Sequence, residues 1–410
     1  MSDLRKEIFG RIKVVEMATF VAAPAAGKFF ADLGAEVIKI EPAGGDPIRD
    51  TAAGEGRPVD PYEDITWDVE NGGKKSVSFN LKDARGKEAL FRLLEQADVL
   101  ITNWRTDALE RAGLDYESLK VKFPKLVFSQ ITGYGDKGPD KDLPGFDLTA
   151  FAARGGWLGT LYERDASPLV PIGGLGDHQA GLMLAAGTMT ALYKAEKTGK
   201  GDRVTVSLLS AAIFGVTLFA QAAQYGVTSY PINRDEILNP LINAYKSKDG
   251  RYIQVAMPMY DFYYPKFMAL IGREDMIQNE NFSKINNLGN RNKELFYIVK
   301  EAFLKKDMAE WKRLLTEGDI PFAVAQTWEE VLDDEQAWAN DYLVKVDYPG
   351  GVQRTLIRQP IHYNEMGLPE AKKGPLIGED SESVLAGLGY CAEEIQEMKA
   401  NKIFTAWEKR

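Results

Sequence analysis

The first 135 residues alternate between segments typical of β-strands and segments typical of α-helices. The apolar run IKVVEMA precedes PAAGKFFADLG and then EVIKIE, which is the β-α-β order of a parallel sheet. The alternation continues with predicted strands at 76–80, 98–102 and 126–133 and a predicted helix at 87–97. The pattern therefore predicts an α/β fold with a Rossmann-like sheet in this part of the chain.

The length of the chain predicts two domains. Its 410 residues, 45% of them hydrophobic, exceed the usual size of one compact domain. A Pro- and Asn-rich linker is predicted at 229–243, and a β-hairpin turned at Asp249-Gly250 follows it. We predict a large Rossmann-like domain from residues 1–225 plus 325–410, with a smaller α+β domain and its linkers inserted at 226–324.

Charge and composition narrow the function classes. The net charge of −10 and a pI near 5.1 argue against nucleic acid or an anionic membrane as a partner. A single cysteine, Cys391, and two distant histidines, His178 and His362, give no ligand set for a metal, so we expect none. The N-terminal MSDLRKEIFG lacks the apolar stretch of a signal peptide, and no apolar run is long enough to span a bilayer. We expect a cytoplasmic protein.

Asp177 is the residue whose surroundings are most suggestive of chemistry. It lies in GLGDHQAG, which we interpret as a small-residue turn leading into the apolar helical run LMLAAGTMTALYKA. A carboxylate between glycines at a helix start can act as a nucleophile on an acyl carbon. Asp is also a preferred N-cap residue, so a purely structural role remains an alternative.

Polar residues follow the predicted strand at 98–102, where the ligand crevice of an open α/β sheet is expected. Asn103 can hydrogen-bond an amide or a sugar, and Trp104 can cover a flat ring or pack in the core. Arg105 or Arg111 can meet a phosphate. Further basic residues cluster near the predicted strand at 76–80: Lys74, Lys75, Lys82, Arg85 and Lys87. A solvated helix face explains Arg85 and Lys87 at least as well.

Two other observations bear on the site. The first β-α turn, ATFVAAPAAG, carries only Gly27 of the glycines that a dinucleotide needs, so NAD binding is a weak alternative despite Glu41 at the end of the second strand. Asp147, in the Gly- and Pro-rich segment 129–147, is a second acid that could lie near Asp177. The alternative for Asp147 is a solvated loop residue.

An ordered series of segments resembles the family III CoA-transferases nearly from end to end. The segments are FVAAPAAGKFFADLGAEVIKIE, NGGKKSVSFNLK, ITNWRTDALERAGLDYESL, FSQITGYGDKGP, PGFDLTAFAARGG, GLGDHQAG and DEQAWAND. The resemblance implies a Rossmann-like large domain, a smaller inserted domain and a homodimer of interlocked, ring-like chains. It also implies coenzyme A as a co-substrate thioester, with no metal.

The resemblance further implies roles for individual residues. Asp177 takes the place of the nucleophilic aspartate, and Asp147 matches an acidic position near it. Phe79 and Leu81 would wall the adenine, and the backbone of Val21 and Ala22 would lie beside the pantetheine and thioester. The remaining residues would contact CoA or its phosphates: Lys75, Lys82, Asn103, Trp104, Arg105 and Arg111.

Two departures from the family pattern stand out. The glycine loop that covers the site in the formyl-CoA enzyme has no clear counterpart, because NRDEILNPLINAY occupies that region. Pro42 stands where some members place a CoA-contacting arginine, and nearby Arg49 is a candidate replacement.

The expected chemistry passes through an aspartyl mixed anhydride and an aspartyl-CoA thioester. Within the family, the segments look most like the enzymes that act on (R)-2-hydroxy acids in amino-acid fermentation. We therefore expect an acyl-CoA donor and a 2-hydroxy acid acceptor, preferably (R)-phenyllactate, with Tyr245, Tyr260, Phe262 and Tyr263 as candidate pocket residues. The alternatives are 2-hydroxyisocaproate, oxalate or carnitine as acceptor, and a CoA-binding subunit associated with a 2-hydroxyacyl-CoA dehydratase.

Overall fold

The computed structural model describes residues 4–57, 59–226 and 230–407. Ser229, the first residue of the predicted linker, lies outside this part of the chain. The strands, in chain order, are β1 (Lys13–Met17), β2 (Glu36–Ile40), β3 (Lys75–Phe79), β4 (Val99–Thr102), β5 (Val127–Thr132), β6 (Arg203–Ser207), β7 (Ile242–Lys246), β8 (Tyr252–Ala256), β9 (Phe322–Val324), β10 (Leu343–Tyr348), β11 (Val352–Ile357) and β12 (Phe404–Thr405).

The helices connect and cover these strands. In chain order they are α1 (Leu4–Phe9), α2 (Ala22–Asp32), α3 (Thr51–Gly54), α4 (Ile65–Asn71), α5 (Ala84–Glu95), α6 (Thr106–Ala112), α7 (Tyr116–Lys122), α8 (Leu175–Thr198), α9 (Leu208–Gly215), α10 (Thr217–Ala222), α11 (Tyr260–Leu270), α12 (Ile285–Leu288), α13 (Asn292–Phe303), α14 (Met308–Glu317), α15 (Trp328–Leu332), α16 (Glu335–Ala339), α17 (Ser381–Gly387) and α18 (Ala392–Ala400). A π-helix, Asp147–Ala153, lies between β5 and α8.

A seven-stranded sheet forms the centre of the α/β fold, in the order β12-β3-β2-β1-β4-β5-β6. All neighbouring strands are parallel except β12, which pairs antiparallel with β3 through Phe404 and Phe79. The chain therefore reverses its direction of winding between β1 and β4. In such sheets the loops at the carboxyl ends of the two strands at the switch point border a ligand crevice.

Both faces of the sheet are covered by apolar clusters. On one face, Phe30 of α2 and Leu184 of α8 belong to a buried cluster that includes strand residues such as Val14. On the other, Leu90 of α5 and Leu385 of α17 pack with a second set of strand residues. Coverage on both sides explains why the central strand β4, VLIT, is buried along its whole length and does not alternate between apolar and polar residues.

The chain divides into two compact units. One comprises Met1–Leu158, Val170–Ala220 and Glu335–Arg410, and the other Gly159–Leu169 and Gln221–Asp334. The predicted functional domains, 1–225 plus 325–410 and 226–324, remain a prediction.

The second unit contains the antiparallel sheet β7-β8-β9, with the predicted hairpin between β7 and β8. Tyr245 and Tyr260 are fully buried in its core, and their hydroxyls donate to the carbonyls of Pro240 and Phe282. These two side chains are therefore core residues, and their alternative assignment to an acceptor pocket is wrong. Phe262, by contrast, is exposed.

Within the described residues no single helix combines the length and the apolar character needed to cross a bilayer. Leu208–Gly215 together with Thr217–Tyr225, bent by 71°, meets that test only as a pair and only by length and composition.

Candidate active site

Asp177 is the third residue of α8, not a residue of a turn. Gly174, with φ of +87°, precedes the helix, which begins at Leu175. The N-cap alternative for Asp177 is therefore wrong, and so is the interpretation of GLGDHQAG as a turn, because most of that segment is helical. Asp177 belongs to the first turn of a 24-residue helix, and the helix dipole favours negative charge at that end.

Two glycines allow the start of α8 to pack against its neighbours without side chains in between. A Cβ at Gly176 would come within 2.2 Å of the Phe151 ring and 2.4 Å of Asp147 Oδ1. A Cβ at Gly181 would come within 2.6 Å of the Ala22 carbonyl oxygen. The glycines thus serve close contact with the π-helix and with α2, which explains why they are tolerated inside a helix.

A cavity of about 310 Å³ opens at the switch point of the sheet. It is bordered by the loop after β1, the segment after β4, the Gly- and Pro-rich segment after β5, and the start of α8. Five predicted site residues line it together: Ala22, Asn103, Trp104, Arg105 and Asp177. Phe20, Lys141, Leu143 and Phe146 also line it, although sequence reasoning assigned them no role.

The environment of Asp177 disfavours its charged form. Burial raises the pKa of this carboxyl to about 7, the negative charges of Asp147 and Glu70 add to the rise, and the charge of His178 opposes it. A carboxyl with this pKa is divided between its two protonation states at neutral pH. Perturbed titration in a cleft is a frequent property of reactive groups.

Asp147 is the first residue of the π-helix and is only 5% exposed, so the solvated-loop alternative is wrong. Its Oδ1 accepts a hydrogen bond from the Gly176 N–H at 3.1 Å, whereas Oδ2 is buried without a partner among the described residues. Burial raises the pKa of Asp147, and the backbone N–H groups of Gly174 and Gly176 partly offset that rise.

Asn103 fixes the loop after β1. Its Oδ1 accepts from the Thr19 N–H at 3.1 Å, and its Nδ2 donates to the Thr19 carbonyl at 2.8 Å. Trp104 is partly buried against the core on one side and lines the cavity on the other, so both of its interpretations hold in part. Asn103 and Trp104 thus form part of the cavity wall.

A buried ionic cluster supports the same loop. Lys39 Nζ lies 2.9 Å from both Glu16 Oε1 and Asp46 Oδ2, and it donates to the Ala18 carbonyl at 2.7 Å. Asp46 Oδ1 in turn accepts from the N–H of Phe20, which has a φ of +61°. Charged residues within the apolar strands KVVEM and EVIKI were the sequence signal for this cluster.

The other predicted CoA contacts do not line the cavity. Phe79 is 2% exposed in the core, and Leu81 packs partly on the same cluster. Lys75 pairs with Glu36 at 2.6 Å, Lys82 is exposed, and Val21 is the residue before α2. Arg111 is 71% exposed and pairs with Asp107. The roles proposed for these residues stay predictions.

Two residues raised as alternatives are engaged in one ion pair. Arg49 Nη2 lies 2.8 Å from Glu41 Oε1 and also donates to the Pro375 carbonyl. Glu41 is buried and accepts a further hydrogen bond from Ser76 Oγ at 2.5 Å. Glu41 therefore already has several partners, which weakens the alternative of a ribose-binding acid.

The comparisons with known proteins agree with one another. The family model described as CoA-transferase family III matches residues 10–381. The chain is 55% identical over 399 residues to the cinnamoyl-CoA:phenyllactate CoA-transferase of Clostridium sporogenes, covering 96% of this chain and 97% of that protein. It is 45% identical over 392 residues to the (R)-2-hydroxy-4-methylpentanoate CoA-transferase of Clostridioides difficile, covering 96% and 98%.

A solved structure extends the match to the fold. The crystal structure of Rv3272 from Mycobacterium tuberculosis superimposes with a TM-score of 0.78 at 28% identity, covering 91% of this chain and 98% of that one. The resemblance read from the sequence segments is confirmed by the family model and by both relatives. The chain is therefore a CoA-transferase and belongs to CoA-transferase family III.

Proposed function

We propose that this enzyme moves CoA from an acyl-CoA donor to a 2-hydroxy acid, with Asp177 as the nucleophile. The observation that carries the proposal is the position of the Asp177 carboxylate in the cavity at the sheet's switch point, beside Asn103, Trp104 and Arg105. Its location in the first turn of a long helix favours the charge that it carries when it attacks.

In the proposed reaction, a carboxylate oxygen of Asp177 bonds to the acyl carbon of the donor, the carbon–sulfur bond breaks, and CoA leaves as thiolate. The thiolate attacks the Asp177 carbonyl and releases the donor acid. The acceptor carboxylate then attacks this aspartyl thioester and expels CoA thiolate, which leaves a second mixed anhydride between the acceptor and Asp177. The thiolate attacks the acceptor's acyl carbon in that anhydride, and the Asp177 carboxylate leaves. Each intermediate is an activated acyl group, so no nucleotide hydrolysis is needed.

Asp147 has a supporting role in this proposal. Its buried carboxyl contacts the backbone of Gly176, the residue directly before the nucleophile, and its charge disfavours ionisation of Asp177. Asp147 does not line the cavity, so in this proposal it acts on Asp177 through the start of α8 and not by contact with the substrate.

For the acceptor we propose (R)-phenyllactate or a close aryl analogue. The Clostridium sporogenes relative, by its name, acts on phenyllactate, and Phe20 and Phe146 pack edge to face across 5.5 Å at the cavity wall. An aryl side chain can join such a pair with favourable geometry. The second relative's name favours an aliphatic acceptor as the alternative.

CoA is proposed to enter along the carboxyl ends of the parallel strands. The backbone at Val21 and Ala22 would border the pantetheine, and Phe79 and Leu81 the adenine. The phosphates would meet cations from Arg105, Arg111, Lys75 or Lys82. Arg105, which lines the cavity, and the exposed Arg111 on the neighbouring helix α6 are the best supported of these.

We also propose a homodimer of interlocked chains. Apolar side chains on α9 and α10 are strongly exposed, among them Phe214 at 72% and Leu218 at 81%. Exposed apolar side chains on neighbouring helices are a frequent feature of protein interfaces. Sedimentation velocity at micromolar concentration should give a dimer, and a monomer would contradict this part of the proposal.

Trapping the intermediate tests the nucleophile. After incubation with a cinnamoyl-CoA donor and hydroxylamine, peptide mass spectrometry should find the hydroxamate on Asp177. Asp177→Ala should lose the label and at least about 10³-fold in kcat, as nucleophile variants do, while still binding CoA. Asp165→Ala serves as the matched control, because Asp165 is an exposed acid in a loop. Label on another residue, or full activity of Asp177→Ala, would refute the proposal.

The isolated chain should catalyse transfer by itself. If transfer requires an added 2-hydroxyacyl-CoA dehydratase, the alternative of a CoA-binding subunit is correct instead.

A further inference from the structure

His178, the residue after Asp177, is held by two hydrogen-bond acceptors. Its Nε2 lies 2.8 Å from Glu70 Oε1, and its Nδ1 lies 2.8 Å from the Gly174 carbonyl oxygen. A carbonyl oxygen can only accept, and an ionised carboxylate can only accept. Both ring nitrogens must therefore carry a proton when Glu70 is ionised, which makes the ring an imidazolium cation.

Glu70 is well placed to hold this cation. It lies near the end of α4, its side chain is 5% exposed, and it also faces the buried ammonium of Lys74. The hydrogen bond to Glu70 raises the pKa of His178 to about 9, although burial acts in the opposite direction. The imidazole itself is 52% exposed, so solvent reaches the pair from one side.

The charged groups around Asp177 come from three elements. Asp147 on the π-helix and Glu70 on α4 are negative and disfavour its ionisation, whereas His178 on α8 is positive and favours it. Arg105 and Lys141 line the same cavity, but His178 is the cation whose charge lowers the pKa of Asp177. Without it, two carboxylates and burial would act on Asp177 unopposed.

We propose that His178 is a positioning residue that, held as an imidazolium by Glu70 and the Gly174 carbonyl, keeps Asp177 in its nucleophilic carboxylate form. This inference rests on the proposed function, because it takes Asp177 as the nucleophile. Attack on a thioester needs a lone pair of an ionised oxygen, and a protonated carboxyl supplies a far weaker nucleophile. The charge of the His178 imidazolium therefore extends the working range of the enzyme toward lower pH, against the effect of Glu70 on the same carboxyl.

Direct titration tests the charge of the ring. The chain contains only two histidines, so ¹³Cε1-labelled histidine gives two signals, and His362→Gln assigns them. The His178 signal should titrate above pH 8 in the wild type and move toward the ordinary histidine range, near 6.5, in Glu70→Gln. A wild-type His178 signal that titrates near 6.5 would overturn the inference.

The pH profile tests the consequence for the nucleophile. The acid limb of kcat/KM reports the free enzyme, and its midpoint should rise by about one pH unit in His178→Gln, as expected for loss of a close opposite charge. This shift corresponds to a loss in kcat/KM of up to about tenfold at pH 6 and of less than about twofold at pH 9. His178→Lys, which keeps a positive charge, should hold the limb near its wild-type position.

Several results would contradict this role. An unchanged limb in His178→Gln, an equal loss at every pH, or an effect confined to the KM of the acceptor would each overturn it. His362→Gln is the control, since His362 contacts Tyr342 and does not line the cavity. If Asp177 is still labelled by donor and hydroxylamine while the limb does not move, the inference fails and the proposed function stands. If the label is found on a residue other than Asp177, the proposed function itself is refuted.

Discussion

The Asp147 carboxyl accepts a hydrogen bond from the backbone N–H of Gly176 across 3.1 Å, one residue before the candidate nucleophile. The contact is made by a buried acid to the first turn of α8, so it fixes where that turn begins relative to the π-helix. Any side chain at Gly176 would separate the two elements. The position of Asp177 therefore depends on a residue that has no side chain of its own.

Gly176→Ala should destabilise the protein and impair catalysis together. The added Cβ would lie 2.2 Å from Phe151 and 2.4 Å from Asp147 Oδ1, so α8 must shift. Overpacking of this kind costs about 1–3 kcal/mol, and a shift of about 1 Å at a nucleophile can cost about 100-fold in rate. Differential scanning calorimetry and initial rates measure the two effects.

The matched control for that substitution is Gly173→Ala. A Cβ at Gly173 would meet nothing within 4 Å, so stability and rate should stay near those of the wild type. Equal behaviour of the two variants would show that close packing at Gly176 does not position Asp177.

Asp177→Asn should raise the melting temperature at pH 8 while it abolishes transfer. Burial raises the folded-state pKa of Asp177 to about 7, against a usual value of 3.8. The stability that this raised pKa provides is fully present below the unfolded pKa and is lost as the pH rises through the folded value. At pH 8 the wild type thus bears an unfavourable buried charge, which the amide removes.

The advantage of Asp177→Asn should shrink as the pH falls from 8 to 5, because wild-type Asp177 then takes up a proton. A gain of roughly 1–3 °C at pH 8 is expected for a chain of this length. A gain that is equal at both pH values would show that the carboxyl is not under electrostatic stress.

Arg111→Ala should weaken the binding of every CoA ester by about 1.5–3 kcal/mol, the range for a hydrogen bond to a charged group. Its partner Asp107 is exposed, and such surface pairs are weak, so Arg111 can exchange that partner for a phosphate. The effect should shrink with CoA that lacks the 3′-phosphate. Lys120→Ala, which removes an exposed cation paired with Glu117 on α7, should leave KM unchanged. Equal KM values for Arg111→Ala and Lys120→Ala would show that the phosphates of CoA bind elsewhere.

The β-α-β order was predictable because local periodicity and burial agree along the whole segment. The segments read as strand and helix at 12–18, 24–34 and 36–41 correspond to β1, α2 and β2. The edge strand β12 was missed because it has two residues and follows a helix without a pattern of its own. Its pairing with β3 is long-range, and no local signal encodes it.

The site was less predictable than the sheet. The sequence interpretation placed a turn at GLGDHQAG because glycine disfavours a helix locally. The segment is helical from Leu175, because the glycines let α8 pack closely against Phe151 and Ala22. The contact of His178 with Glu70 joins residues 108 positions apart. The sequence shows that Asp177 and His178 are neighbours, but only the fold brings the carboxylate of Glu70 to His178.

The proposed preference for an aryl acceptor can be tested at the aromatic pair of the cavity wall. Phe20 and Phe146, with ring centroids 5.5 Å apart, offer an edge and a face to an aryl side chain. We expect kcat/KM to be highest for (R)-phenyllactate, lower for 2-hydroxyisocaproate and lowest for lactate, since apolar pockets discriminate by about 1–3 kcal/mol per methylene-sized difference.

Phe146→Leu should reduce the preference for phenyllactate over 2-hydroxyisocaproate by about 0.5–1.5 kcal/mol, the value of an aromatic pair beyond its buried area. Tyr193→Leu, a change at an exposed aromatic residue of α8 that does not line the cavity, should preserve that preference. If lactate, oxalate or carnitine is the best acceptor of the wild type, the aryl assignment fails, although the chain remains a CoA-transferase.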